Sequence, residues 1–221
     1  MKNRYVMTFT KEGYIKYTSH LDMLRLFKRA FKKCQIQLAY SQGFNPHPKM
    51  GFAQPLSLGY ISRCELLEFE TVSPYDREEL QHMLNGVMPE GVEILACETL
   101  PAEGKSLASA VTEAIYKVTF PVESDVVYED KLKAYLQQDE ILAEKRQKKT
   151  KKLTTVDIRS KIRAITVIPE DKLVLRMDLD CGSASNLSPE LVISTFCAFA
   201  RIDVNRYDIE VEREDIIFDK F

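Results

Sequence analysis

The chain has 221 residues, of which 45% are hydrophobic and 29% charged, and its formal net charge is −2. This composition excludes a disordered tail, and the length suits one large domain or two small ones. No apolar run approaches the roughly 20 residues of a membrane helix, and the first ten residues alternate like a strand instead of forming a signal peptide. We therefore expect a cytoplasmic protein without a membrane partner.

The first half of the sequence alternates strand and helix signals. Ser19 is a good helix N-cap, and Asp22 follows three residues later as in a capping box. Apolar residues then recur at three- and four-residue spacing, which predicts an amphipathic helix as far as Lys33. The predicted elements, in chain order, are a strand at 3–10, a helix at 19–33, strands at 36–41 and 64–72, a helix at 75–87 and a strand at 92–98.

The second half repeats this order of elements after an expected linker at 99–112. Its predicted elements are a strand at 115–121, a helix at 129–146, one or two strands within 153–168, a strand at 172–180, a helix at 189–200 and a strand at 207–212. The repeated order predicts an α+β fold of two ferredoxin-like βαββαβ units with antiparallel sheets, at 1–105 and 113–221.

The small net charge hides a strong segregation along the chain. Residues 11–50 hold eight basic and two acidic side chains, a net charge of +6, and residues 144–163 hold nine and two, a net charge of +7. Residues 64–104 and 170–221 are acidic, with net charges of −9 and −6. Each segment is either an ordinary solvated face or, where it is basic, a surface for a polyanion.

The segment Tyr40–Lys49, YSQGFNPHPK, is the least ordinary part of the sequence. Pro46 and Pro48 keep the residues before them out of helical conformations, so the loop is stiff and loses little entropy on binding. We expect it to be the functional centre, and the alternative is a rigid structural loop whose histidine caps a carbonyl. The predicted site residues here are Gln42, Gly43, Phe44, Asn45, His47 and Lys49.

A basic helix face adds to this predicted site. His20 lies in the first helical turn, where free N–H groups attract anions, and we expect it to approach His47. The helix cations are expected to face the same side as Lys49. The remaining predicted site residues are Arg25, Lys28, Arg29, Lys32 and, in the second basic segment, Arg159.

The five cysteines are widely spaced and form neither a CxxC nor a CxxxCxxC motif. Most lie in apolar runs, which is typical of reduced core thiols. We therefore expect no metal, iron–sulfur cluster or other cofactor in this chain.

The SHLD turn, the YSQGFNPHPK loop, the following PLSLG and Glu65 of the next strand together resemble one specific family. It is the domain family that is fused to, or encoded beside, cobalamin-binding radical-SAM proteins. The resemblance covers essentially the whole chain and extends more weakly to TTVDIRSKI at 154–162. It implies a separate radical-SAM partner protein that carries the iron–sulfur cluster, S-adenosylmethionine and, where the partner is a cobalamin-binding one, cobalamin.

Three functions remain open at this point. The chain is a non-catalytic partner of a radical-SAM enzyme that binds or presents RNA, such as tRNA or rRNA, for modification. Alternatively, it is a metal-independent RNA-processing enzyme that uses His47 and His20 as general acid and base. The third function is a protein-interaction module without nucleic-acid binding.

Overall fold

A computed structural model of the chain describes residues 3–147 and 152–219. The protein mixes α and β structure, and its strands pair mostly in the antiparallel direction. It divides into two compact units: unit 1 takes residues up to Val111 together with the C-terminal end from Phe218, and unit 2 takes Thr112–Ile217.

Unit 1 follows the order strand, helix, two strands, helix, strand, short helix. Its elements are β1 (Asn3–Lys11), α1 (His20–Lys33), β2 (Met50–Phe52), β3 (Ile61–Thr71), α2 (Arg77–Asn85), β4 (Ile94–Leu100) and α3 (Leu107–Ala110). Strand β1 lies in the centre between β3 and β4, and β2 pairs with the other edge of β3. A 3-10 helix, Gly13–Tyr17, leads from β1 into α1.

The core of unit 1 lies between its sheet and α1. Alternate residues of β1 point to one face of the sheet, where Phe9 meets Phe27 of α1 edge-on at 4.8 Å between ring centroids. Phe31 and Phe69 are also 4.8 Å apart, and all four rings are buried. The predicted N-cap is confirmed, because the Ser19 hydroxyl accepts a hydrogen bond from the Asp22 N–H at 3.2 Å.

In unit 2, four strands pair in the order β10-β5-β9-β8, and two further strands form a separate ribbon, β6-β7. Two helices pack together, with Tyr135 edge-on to Phe196 at 5.4 Å. The elements are β5 (Val111–Glu123), α4 (Val126–Leu136), β6 (Leu142–Arg146), β7 (Leu153–Asp157), β8 (Ile162–Ile168), β9 (Lys172–Asp180), α5 (Pro189–Ala200) and β10 (Glu210–Phe218).

Three local predictions differ from this structure. Residues 36–41 form only isolated bridges, Leu38 with Thr71 and Tyr40 with Pro48. Pro48 has no N–H with which to extend a ladder. The expected helix 129–146 ends at Leu136, and its last five residues form strand β6. The expected linker 99–112 contains the end of β4 and the whole of α3.

Candidate functional site

Backbone hydrogen bonds close the base of the loop at 41–48. The Ser41 N–H donates to the His47 carbonyl at 2.8 Å, and the His47 N–H donates back to the Ser41 hydroxyl at 3.0 Å. The bridge between Tyr40 and Pro48 continues this pairing by one step. Gly43 has a φ of +134°, which few residues other than glycine adopt. The loop is therefore a closed, hairpin-like projection from unit 1.

Phe44 stands at the tip of this loop with its side chain fully exposed. The neighbouring tip residues Gln42, Gly43, Asn45 and Pro46 are exposed as well. Because the ring buries no surface, it adds nothing measurable to the stability of the unit. A stiff loop that presents a bare aromatic ring is suited to contact with a partner.

An open groove of about 280 Å³ lies between the loop and α1. His47 and Pro48 form its loop side, and Arg25 and Lys28 form its basic side. Leu21, Leu24 and Met50 complete the lining. The groove therefore combines an apolar floor with cationic and imidazole groups, a combination that accommodates both a ring and an anion.

Four cations of α1 form one stripe on the helix face opposite the core. Their three- and four-residue spacing places them on adjacent turns, and their side chains are exposed. Arg25 is 2.7 Å from Asp22, whose pKa is lowered first by the hydrogen bond from Ser19 and then by Arg25. Among the described residues, Lys28 and Lys32 form no ion pair. The stripe consists of Arg25, Lys28, Arg29 and Lys32.

Lys49 does not join this stripe, contrary to the prediction. Its ammonium lies 2.7 Å from the Glu70 carboxylate, and both residues line a different pocket, of about 200 Å³, beside α3. Because side chains alternate along a strand and Phe69 faces α1, Glu70 and Lys49 point to the other face of the sheet.

His20 also lies apart from His47. Its ring packs edge-on against Phe52 at 5.3 Å and lines a small cavity with the buried residues Lys11 and Glu65. Burial, and then the charge of Lys11, lower the pKa of His20, so the ring is neutral at physiological pH. The two histidines line different pockets, so this geometry does not favour the expected acid–base pair.

Lys11 is a residue that the sequence analysis missed in this cavity. Its ammonium donates to the Thr18 carbonyl at 3.0 Å and is almost fully buried. The cavity measures about 10 Å³, the room that one water molecule needs. The sequence does indicate this polar site, because Lys11 and Glu65 occupy strand positions that otherwise carry apolar residues.

Arg159 belongs to unit 2, whereas the other predicted site residues belong to unit 1. Its Nε donates to the carbonyl of Leu136 at 3.0 Å, so it caps the C-terminal end of α4. Of the basic stretch 145–152, residues 148–151 lie outside the described part of the chain.

All five cysteines are free thiols, and burial raises the pKa of Cys97 to about 11. Within residues 3–147 and 152–219, no three His, Cys, Asp or Glu side chains are grouped to hold a metal ion. In the same ranges, no helix combines the length and apolar character needed to cross a bilayer.

A family model described as "Uncharacterized protein conserved in bacteria (DUF2344)" matches residues 4–189. The chain belongs to this family. No curated protein matches the sequence. Among solved structures, a similar chain comes from the archaeal box H/ACA sRNP Nop10-Cbf5 complex, at 12% identity and a TM-score of 0.42. The alignment covers 95% of this chain and 46% of that one, so this chain spans less than half of its length.

Proposed function

We propose that this protein is a non-catalytic partner of a radical-SAM enzyme and binds an RNA substrate, such as tRNA or rRNA, for modification. One observation carries the RNA part of this proposal. His47, Arg25 and Lys28 line the same groove between the 41–48 loop and α1, and the Phe44 side chain is fully exposed at the loop tip.

This surface offers the two contacts that unpaired RNA uses. The cations of the α1 stripe are placed to contact phosphates, which makes affinity depend on salt but not on sequence. Phe44 offers a ring face on which an unpaired base can stack, a contact worth about 1–3 kcal/mol per base. His47 adds a hydrogen-bonding group to the lining of the groove. The exposed base and its phosphate are thereby held without covalent chemistry.

The radical-SAM partner rests on the resemblance of the SHLD turn and the YSQGFNPHPK loop to the radical-SAM-associated family. The sequence has no CxxxCxxC motif, so an iron–sulfur cluster of that class has to come from the partner. The separate pockets of His20 and His47 favour a binding role for this chain over metal-independent RNA cleavage.

We also propose that each unit is a ferredoxin-like unit. In unit 1, the order β4-β1-β3-β2 with antiparallel neighbours supports this assignment. In unit 2, the order β10-β5-β9-β8 is the same once the β6-β7 ribbon is treated as an insertion. A solved structure of the protein tests this assignment directly.

The proposed RNA surface can be tested with two matched lysine variants. Lys28→Ala removes a cation of the groove, and Lys49→Ala removes one that is paired with Glu70 on the other face of the sheet. We expect Lys28→Ala to weaken binding of a fluorescent single-stranded RNA and to reduce the salt slope by about one unit. Lys49→Ala should leave both unchanged.

Equal affinity and equal salt slope in wild type, Lys28→Ala and a quadruple Arg25, Lys28, Arg29, Lys32 alanine variant would reject this surface. A wild-type protein that binds no RNA, while it still binds the radical-SAM protein, would favour the interaction-module alternative.

A further inference from the structure

The β6-β7 ribbon is a hairpin with a buried base and an exposed outer part. The Ile158 N–H donates to the Ile141 carbonyl at 2.9 Å, and Ile141, Ala143 and Ile158 are buried. Strand β6 packs beside α5 at this base. Further out, the Gln147 N–H donates to the Lys152 carbonyl at 2.9 Å, which extends the pairing beyond Arg146 and Leu153. The base therefore fixes the ribbon, and its outermost described residues are exposed.

The outer part of the ribbon carries cations on both faces. Lys145 pairs with Thr154 and Arg146 with Leu153, so their side chains point to opposite faces. Lys152 lies one pair further out, on the same face as Lys145. All three cations are exposed, and residues 145–152 contain no acidic side chain.

The ribbon sequence also has no aromatic residue on which an unpaired base could stack. No Phe, Tyr or Trp occurs between Leu142 and Asp157, in contrast to unit 1, where Phe44 is bare. Without an aromatic ring, the ribbon cannot form a stacking contact with an unstacked base, and its cations are suited to contact phosphates. A duplex keeps its bases stacked and presents phosphates at a higher density than a single strand.

We propose that the β6-β7 ribbon binds the phosphate backbone of double-stranded RNA through Lys145, Arg146 and Lys152. This inference rests on the proposed RNA-binding function and assigns a second, different contact to it. The loop and groove of unit 1 take unpaired nucleotides, and the ribbon of unit 2 takes a helical part of the RNA. Its recognition is independent of base sequence, because phosphate contacts carry no sequence information.

The test uses the full-length protein with a blunt RNA duplex of about 16 base pairs and with a single-stranded RNA. The ribbon variant is Lys145→Ala with Lys152→Ala. The control is Lys133→Ala with Lys172→Ala, which removes two exposed lysines elsewhere in unit 2. We expect the ribbon variant to bind the duplex roughly tenfold more weakly, with a salt slope lower by about two units, and the control to match wild type.

Binding of the single strand, and its dependence on Lys28, should be the same in both double variants. Unchanged duplex affinity and salt slope in the ribbon variant would overturn the ribbon assignment, and the function of unit 1 would stand. If wild type binds neither RNA, both proposals fail. Should the double variant unfold, Arg146→Gln with the same duplex measurement replaces it, and an unchanged affinity there also overturns the assignment.

Discussion

Arg4 and Glu68 form a largely buried ion pair across β1 and β3, with 2.5 Å between Nη2 and Oε1. The Arg4 guanidinium also donates to the carbonyls of Pro101 and Lys105, at 2.9 and 3.1 Å. The second Glu68 oxygen accepts from the Leu107 N–H at 2.8 Å. One ion pair thus holds both ends of the segment between β4 and α3, beside a pocket of about 450 Å³.

Replacing Arg4 by alanine should destabilise the protein by about 2–4 kcal/mol, because it leaves the Glu68 carboxylate buried without its cation and frees two carbonyls. The measurement is urea unfolding at constant pH. The control is Arg77→Ala, which breaks an ion pair with Glu98 in which both side chains are more than half exposed. That loss should stay within about 1 kcal/mol. Similar losses in both variants would show that the Arg4 contacts do not stabilise the fold.

Gly91 should tolerate no side chain. Its φ is +87°, and a Cβ at this position would lie 2.5 Å from the Glu12 carbonyl oxygen. Glu12 cannot easily move away, because its N–H donates to the Gly91 carbonyl at 2.9 Å. Gly91→Ala should therefore cost more than about 2 kcal/mol of unfolding free energy. Gly51→Ala is the matched control, because a Cβ at Gly51 meets nothing within 4 Å. Equal thermal unfolding of the two variants would contradict this reading.

Local signals were enough to predict the parts of the fold that depend on neighbouring residues. The Ser19 cap and the apolar spacing of α1 lie within one segment, and that helix is where the sequence predicts it. The helix expected at 129–146 is confirmed as far as Leu136 and wrong beyond it, because distant contacts decide the structure there. The Asp157 carboxylate accepts the Ile141 N–H, 16 residues away, and fixes the start of the ribbon.

The candidate site also has features that neighbouring residues determine and features that distant contacts determine. The prolines and Gly43 are local features, and they predict a stiff loop that displays Phe44 and His47. The direction of Lys49 depends on Glu70, 21 residues away, and the environment of His20 depends on Phe52 and Lys11. Sequence patterns contain neither relationship, because strand pairing and ring packing set them only in the folded unit.

His20 should make stability depend on pH. Its pKa in the folded protein lies below its ordinary value of 6.5, chiefly because of burial and then because of Lys11. The unfolded state therefore binds the proton more readily, so stability is complete above pH 6.5 and falls as the pH drops through the folded pKa. His20→Phe keeps a ring against Phe52 and should remove this part of the decrease in urea unfolding between about pH 8 and 5. The same decrease in both proteins would assign it to other groups.

We expect the Phe44 ring to contribute to RNA affinity and not to the stability of the fold. Its ring is fully exposed, so Phe44→Ala should leave the unfolding temperature unchanged, since no buried surface is lost. A lost stacking contact of about 1–3 kcal/mol should weaken single-stranded RNA binding by roughly tenfold or more, and Phe44→Trp should restore it. Tyr14→Ala is the matched control, because the Tyr14 side chain is also almost fully exposed but lies outside the 41–48 loop. The loop would be a spacer, and the stacking argument wrong, if Phe44→Ala and Tyr14→Ala bound the RNA with the affinity of wild type.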